Sequence, residues 1–287
     1  MKQNMIQIGG QAMPEEAQPK RAKRSDAGTA RRTARDAELM EWMAHMYGIP
    51  MDLLQHHLNV TEERARQIVR RWEQAGWVKR DYVDAGSAWV WPTKATTDQF
   101  LGWNAREWKP RPTTAAHTRA VAAVRARRTG FALDRWESER SLWHEHGWRL
   151  KDEEYPHMPD GVEILENGNR VLIEVELTAK ARTRYLSKER ESGTGGVNLH
   201  DGLLPEIQRR ARDLNCSGIA YWCSPVALPV IEDVTKEYSV RSEIQMRNSP
   251  NPQRLGEKFQ FHVRSLEEEV PAWQPKGWVR RLKVGGE

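Results

Sequence analysis

The chain is predicted to be α+β with α/β character in its second half: a helical module closed by a β-ribbon, followed by a mixed sheet flanked by helices. Three observations predict this. Between residues 37 and 76 apolar side chains recur at helical spacing, interrupted by Gly48, Pro50 and Asn59. Residues 77–93 switch to strand-like alternation around DAGS. Beyond residue 131 apolar β-runs such as VLIEV and GIAYW alternate with helical segments. At 287 residues there is room for two domains of ordinary size.

Residues 1–36 lack hydrophobic periodicity and carry the basic clusters PKRAKR and ARRTAR. They are expected to form a disordered basic arm, either resting on phosphates or acting as a solubilising tail. Residues 37–105 form the first module. AELMEWMAHMYG sets Leu39, Met40, Met43 and Met46 at helical spacing, and Pro50 opens a second short helix, MDLLQHHL. Thr61 caps a third, in which Ala65, Ile68, Val69 and Trp72 make an apolar stripe until Gly76 stops it. WVKRDYVDAGSAWVWPT then supplies two aromatic-rich strands and a turn. Three helices and a ribbon in this order predict a winged helix-turn-helix. Such a module sends its third helix into the major groove, where Arg64, Arg66, Gln67, Arg70 and Arg71 reach base edges and phosphates, with Lys79 and Arg80 on the ribbon touching backbone. Winged helices also serve as protein-interaction modules, and an Arg-rich face can simply be solvated. The adjoining basic arm favours double-stranded DNA.

The Pro-rich stretch around residues 93–112 reads as a connector, and 106–130 as a linker helix, AAHTRAVAAVRARR, on which His117 stands alone as a packing or surface residue. Residues 131–265 make the second domain. LDRWESERSLWHEHG reads as an amphipathic helix, followed by the strand VEIL, the tight turn ENGN and the return strand RVLIEVEL. On that return strand Val171, Ile173, Val175 and Leu177 share the packing face, while Leu172, Glu174, Glu176 and Thr178 share the other. Glu174 and Glu176 therefore lie roughly 6–7 Å apart. Their repulsion calls for a divalent cation, a nearby Lys or Arg, or open solvent. Asp160 adds a carboxylate at the same end of the hairpin, and this hard-oxygen set suits Mg²⁺ or Mn²⁺.

A helix bearing a glutamate, Pro159-Asp160, a hairpin and Glu174-x-Glu176 resemble the PD-(D/E)XK nuclease-like, or restriction-endonuclease-like, fold. The resemblance implies catalytic roles for Asp160, Glu174 and Glu176. Glu176 occupies the place of the usual lysine, leaving Lys180 as a displaced substitute. The order of winged helix, AAHTRAV helix, PDG strand, EVELTAKAR and GIAYWCSPVALPVIEDV is also similar to the replication-relaxation proteins of plasmids and integrative elements, over roughly residues 37–240. That resemblance implies a DNA-binding accessory factor for replication or mobilisation with a degenerate nuclease-like domain, working with other replication or mobilisation proteins. The alternative is a metal-dependent DNA endonuclease aimed by its winged helix.

The remaining segments complete the expected sheet domain. TAKARTRYLSKERE reads as a basic helix, SGTGGVNLHDG as a Gly-rich loop without the ending of a nucleotide-binding loop, PEIQRRARDL as a helix and GIAYWC as a buried strand. PVIEDVTKEYSV reads as a further helix, with SEIQMR and KFQFHVRSL as outer strands. Residues 266–287 form a basic tail whose Trp273 and Trp278 either stack on bases or pack back. The net charge of +5 and pI near 9.2 agree with a nucleic-acid partner. With no apolar run of membrane-spanning length and no secretory leader, a cytoplasmic location is expected. Two cysteines are too few for a zinc site and read as buried packing thiols. Winged helices often pair on repeated sites, so a homodimer is open, though no heptad pattern specifies it.

Overall fold

The computed structural model describes residues 31–83, 86–147, 157–186, 202–248 and 259–273. The chain is mixed α and β. Helix α1 (Ala34–His45), strand β1 (Ile49–Pro50) and helices α2 (Met51–Leu58) and α3 (Glu62–Gln74) lead into β2 (Val78–Asp81) and β3 (Trp89–Pro92). These strands form an antiparallel sheet in the order β1-β3-β2, with Lys79 opposite Trp91 and Ile49 opposite Val90. Gly48 permits the close approach, because a Cβ there would sit 2.7 Å from the Val90 carbonyl.

Order begins earlier than residue 37. Thr33 caps α1 through a reciprocal capping box with Asp36. Asp36 is fully buried, and its carboxylate also accepts from the Trp72 indole at 3.0 Å and from Arg71 at 2.7 Å. One carboxylate thus joins the start of α1 to the last turn of α3. Arg32 lies over the Trp77 and Phe100 rings and donates to Gln99. Residues 1–30 of the basic arm lie outside the described residues, as do Asp84 and Ala85 of the ribbon turn.

The expected connector contains a helix, α4 (Lys94–Leu101), capped by Thr93 and ended at Gly102 in the left-handed conformation. The expected linker helix is α5 (Pro112–Thr129), with Pro112 at its first position. It is buried on several sides, including at Ala115, Ala120, Ala122, Ala123 and Val124, as befits an internal helix rather than a tether. One apolar core runs from Trp42 and Trp72 through Ala120 and Val124 to Ile173, Val175 and Trp222. The described residues from Arg32 onward accordingly form one compact unit.

The second sheet has five strands in the order β4-β5-β6-β7-β8: β4 (Trp136–Ser138), β5 (Gly161–Ile164), β6 (Arg170–Glu176), β7 (Gly218–Cys223) and β8 (Phe261–Ser265). Strand β5 pairs antiparallel with both β4 and β6; β6, β7 and β8 are parallel neighbours. The hairpin between β5 and β6 forms as expected, with Gly168 at φ +82°. Residues 133–147 are not one helix. Trp136 begins β4 and covers Gly161, where any Cβ would meet the indole at 2.5 Å. Only from Glu139 does the chain turn into α6 (Glu139–His146), capped by Ser138.

After β6 come α7 (Arg182–Tyr185), α8 (Leu203–Asp213) and α9 (Leu228–Asn248). SEIQMR belongs to α9 rather than to a strand; no Gly or Pro breaks the helix before it, and Arg241 pairs with Glu237 one turn away. Helix α10 (Leu266–Glu269) and a 3₁₀ turn at Pro271–Trp273 follow β8. Both cysteines are buried free thiols. The Gly-rich stretch 192–201, the end of the basic segment and Trp278 lie outside the described residues. Among the described residues no helix is long and apolar enough to cross a membrane.

Both faces of the five-stranded sheet are covered. Ile173 and Val175 enter the core shared with α5, whereas Leu172, Tyr221 and Cys223 enter a second core with Ile207, Ile231 and Val234. The glutamate face of β6 is therefore a packed face as well, as expected of a central strand with a parallel neighbour.

Replacing Asp36 by Ala should cost about 2–4 kcal/mol, because a helix cap is lost and a buried indole N–H loses its acceptor. Urea unfolding should show it; a change under about 0.5 kcal/mol would mean that α1 is held by its apolar face alone.

Candidate functional site

Asp160 immediately precedes β5 and is locked onto β6. Its backbone N–H donates to Ile173 O at 3.1 Å, and its Oδ2 accepts from the Val175 N–H at 2.7 Å. The second oxygen, Oδ1, lies 3.4 Å from His117 Nε2, which also donates to Val175 O at 3.1 Å. The Asp160 charge lifts His117 to about 9, against the depressing effect of its burial. His117 is therefore an imidazolium near neutrality. The stability of this pairing is full below the ordinary value of 6.5 and is lost as pH rises through about 9.

A second histidine serves Glu174. His157 Nε2 lies 2.7 Å from Glu174 Oε1, and its backbone N–H donates to Glu206. Burial would depress His157, but the charge and hydrogen bond of Glu174, with Glu206 and Asp160 behind them, raise it overall. Glu174 is itself pushed up, first by burial and further by Asp160, with His157 and Lys180 opposing.

Glu139, at the first position of α6, completes the group. It accepts from the Trp143 indole at 3.2 Å, and burial followed by the charge of Asp160 raises its pKa. Asp160 thus stands within electrostatic reach of both Glu139 and Glu174. Asp160, Glu139 and His117 open onto a cleft of 690 Å³.

Glu176 points to different partners. Its Oε2 accepts from Lys180 Nζ at 2.5 Å and from the Tyr185 hydroxyl at 3.2 Å. The repulsion between the two strand glutamates is met separately, by His157 on one and by Lys180 and Tyr185 on the other. Asp160, Glu174 and Glu176 are not gathered into a single cage. Among the described residues no group of three or more His, Cys, Asp or Glu side chains has the geometry to hold a metal ion. Each of the three carboxylates is instead met by protein groups: Asp160 by the Val175 N–H and His117, Glu174 by His157 through Oε1, and Glu176 by Lys180 and Tyr185 through Oε2.

The expected DNA-contacting residues divide by burial. Arg64, Arg66, Gln67 and Arg70 are exposed along α3, opposite buried Ala65, Ile68, Val69 and Trp72. Arg64 donates to Gln67, and Arg66 pairs with Glu62 one turn back. Arg70 has no ion pair among the described residues. Arg71 is partly withdrawn onto Asp36. On β2, Lys79 pairs with Glu107 at 2.6 Å and Arg80 with Glu73 at 3.2 Å.

The sequence alone does not single out Glu139, His117 and His157 as site residues. Glu139 is visible as a helix glutamate, but treating residues 133–147 as one helix hides its position at a helix start beside β4. His117 is placed by a contact 58 residues away, which no local pattern records. His157 lies two residues before Pro159-Asp160, and that proximity is the one signal that could have drawn it into the motif. Comparison with protein-family models, with curated proteins and with solved structures found no match.

Glu176 is buried, whereas Lys180 is partly exposed and can be rehydrated. Lys180→Met should therefore cost about 1–3 kcal/mol by leaving a buried carboxylate short of a donor, and Glu176→Gln less than about 1 kcal/mol. Equal costs in chemical denaturation would show that the pair is worth the same from either side.

Proposed function

We propose that this protein is a DNA-binding accessory factor for the replication or mobilisation of a plasmid or integrative element, built from a winged helix and a PD-(D/E)XK nuclease-like sheet. The observation that carries the DNA-binding reading is α3, whose outer face presents Arg64, Gln67 and Arg70 while its inner face is buried. An antiparallel ribbon follows it in the chain, and its polar side chains suit phosphates and base edges. Arg71 contributes mainly to stability through Asp36, so Arg70 is the better candidate for contact with DNA. The role on mobile DNA rests on the resemblance of the sequence to replication-relaxation proteins. Double-stranded DNA is the partner, and other replication or mobilisation proteins and a second copy of the chain are compatible with it.

For the nuclease-like sheet, the pairing of Glu174 with His157 and of Glu176 with Lys180 supports a non-cleaving role, since each glutamate already has a partner within the protein. One observation favours the second reading, a divalent-metal-dependent endonuclease: Asp160 interacts electrostatically with both Glu139 and Glu174, and Glu139 and Asp160 lie on the open cleft. Cleavage of supercoiled DNA with Mg²⁺ that is abolished in Glu174→Gln would establish that reading; the accessory role predicts intact DNA in both proteins.

Arg70→Ala should weaken binding to duplex DNA about tenfold and lower the salt slope by about 0.9. Lys236→Gln, at an exposed position of α9, serves as the control. Fluorescence anisotropy across salt concentrations measures both quantities. Unchanged affinity and slope in Arg70→Ala would remove α3 from the interface.

A further inference from the structure

The cleft above Asp160 is bounded by the segment from Trp103 to Thr118 and by α6. Its volume of 690 Å³ lies within the range of about 300–1,000 Å³ usual for small-ligand pockets, the scale of roughly one or two nucleotides. Three features of its lining are independent of the α3 surface.

The first is aromatic. Trp103 and His144 stack with ring centroids 4.1 Å apart and planes inclined by 2°, and His144 is exposed. Trp108 lines the same cleft, steadied by Trp89, Trp91 and Tyr47. Flat rings held in this way offer stacking surfaces for unpaired bases.

The second is charge. Arg106, Lys109 and Arg111 are exposed on the cleft and have no ion pair among the described residues. Nearby surface lysines are paired instead, Lys79 with Glu107 and Lys94 with Asp98. Cations without acidic partners beside aromatic rings suit the backbone of a nucleic-acid strand.

The third is the floor. The carboxylates of Glu139 and Asp160 lie there; their charge disfavours a phosphate, and a carboxylate oxygen of Glu139 can accept from the amino edge of a base. Phosphates therefore belong at the basic rim and bases against the walls and floor. A paired duplex keeps its bases stacked inside and cannot satisfy both; an unpaired strand can.

We propose that this cleft binds a single strand of DNA, with bases stacked by Trp103, His144 and Trp108 and phosphates held by Arg106, Lys109 and Arg111. The inference rests on the DNA-binding reading and extends it from duplex to unpaired DNA. It gives the protein a second surface suited to a melted or displaced strand.

The test uses the full chain and a fluorescein-labelled oligo-dT of about 15 nucleotides, followed by anisotropy, with a random-sequence duplex measured in parallel. Trp103→Ala should weaken oligo-dT binding about tenfold or more. Lys109→Gln/Arg111→Gln, both at exposed positions, should weaken it similarly and reduce the salt slope by about 1.4, or about 0.7 for each phosphate no longer neutralised. Duplex affinity should remain within about twofold in both variants, and Arg70→Ala should show the reverse pattern.

Absent oligo-dT binding, or binding that both cleft variants retain, would overturn the inference. So would tighter binding of oligo-U than of oligo-dT, which would assign the cleft to RNA, or parallel loss of duplex binding in the cleft variants, which would make the cleft part of the duplex surface. Cleft-dependent oligo-dT binding without any duplex binding would support the inference while removing the role given to α3.

Discussion

The structure turns on the carboxylate of Asp160. One oxygen takes the Val175 N–H of β6 and the other faces His117 of α5, so a single side chain connects the start of β5, the central strand and the internal helix. Helix α5 carries this constraint outward. Arg119 donates to both oxygens of Asp52 on α2, at 2.8 and 2.6 Å, and to the carbonyl of Ala272. Breaking a buried pair of this kind leaves an uncompensated charge, which is why such contacts resist separation. The N-terminal helices, the five-stranded sheet and the C-terminal turn consequently share one core.

That arrangement sorts charges into two groups. Those inside answer one another: Glu163 with Arg128, Glu174 with His157, Glu176 with Lys180, and Asp36 with Arg71. In each pair the carboxylate is the more deeply buried partner, and the basic side chain remains closer to solvent. This arrangement lowers desolvation cost, since a long cationic side chain can keep its head hydrated while its stem packs. The second group faces outward without acidic partners among the described residues, as at Arg70, Lys109 and Arg111. Unpaired outward cations contribute little to stability and are the ones available to a polyanion.

Much of this architecture is legible in the sequence because its signals are local. The stripe Ala65, Ile68, Val69 and Trp72 marks α3, the ENGN turn marks the β5–β6 hairpin, and continuous apolar residues mark β7. Each segment that departs from expectation has a physical cause. WES resembles the start of a helix until Trp136 is seen covering Gly161, a contact made across the sheet. Helix α5 reads as a tether because its Ala-rich sequence has little apolar contrast, although Ala is what allows it to pack closely on several sides. The alternation of β6 is plain in the sequence, but it cannot reveal that helices cover the glutamate face too. Of the candidate site, Asp160 and the two strand glutamates can be read from their spacing. His117 and His157 cannot be assigned partners in that way, because their contacts depend on tertiary placement.

The electrostatic account of the centre rests on His117 being charged by Asp160. Long-range ¹H–¹⁵N NMR of the imidazole nitrogens, recorded from pH 5 to 10 on the wild-type chain and on Asp160→Asn, measures this directly. His117 should remain an imidazolium at pH 8 and titrate near 9, and its midpoint should fall by more than about one unit when the aspartate charge is removed. Titration of wild-type His117 at or below the ordinary 6.5, unaffected by Asp160→Asn, would contradict the account.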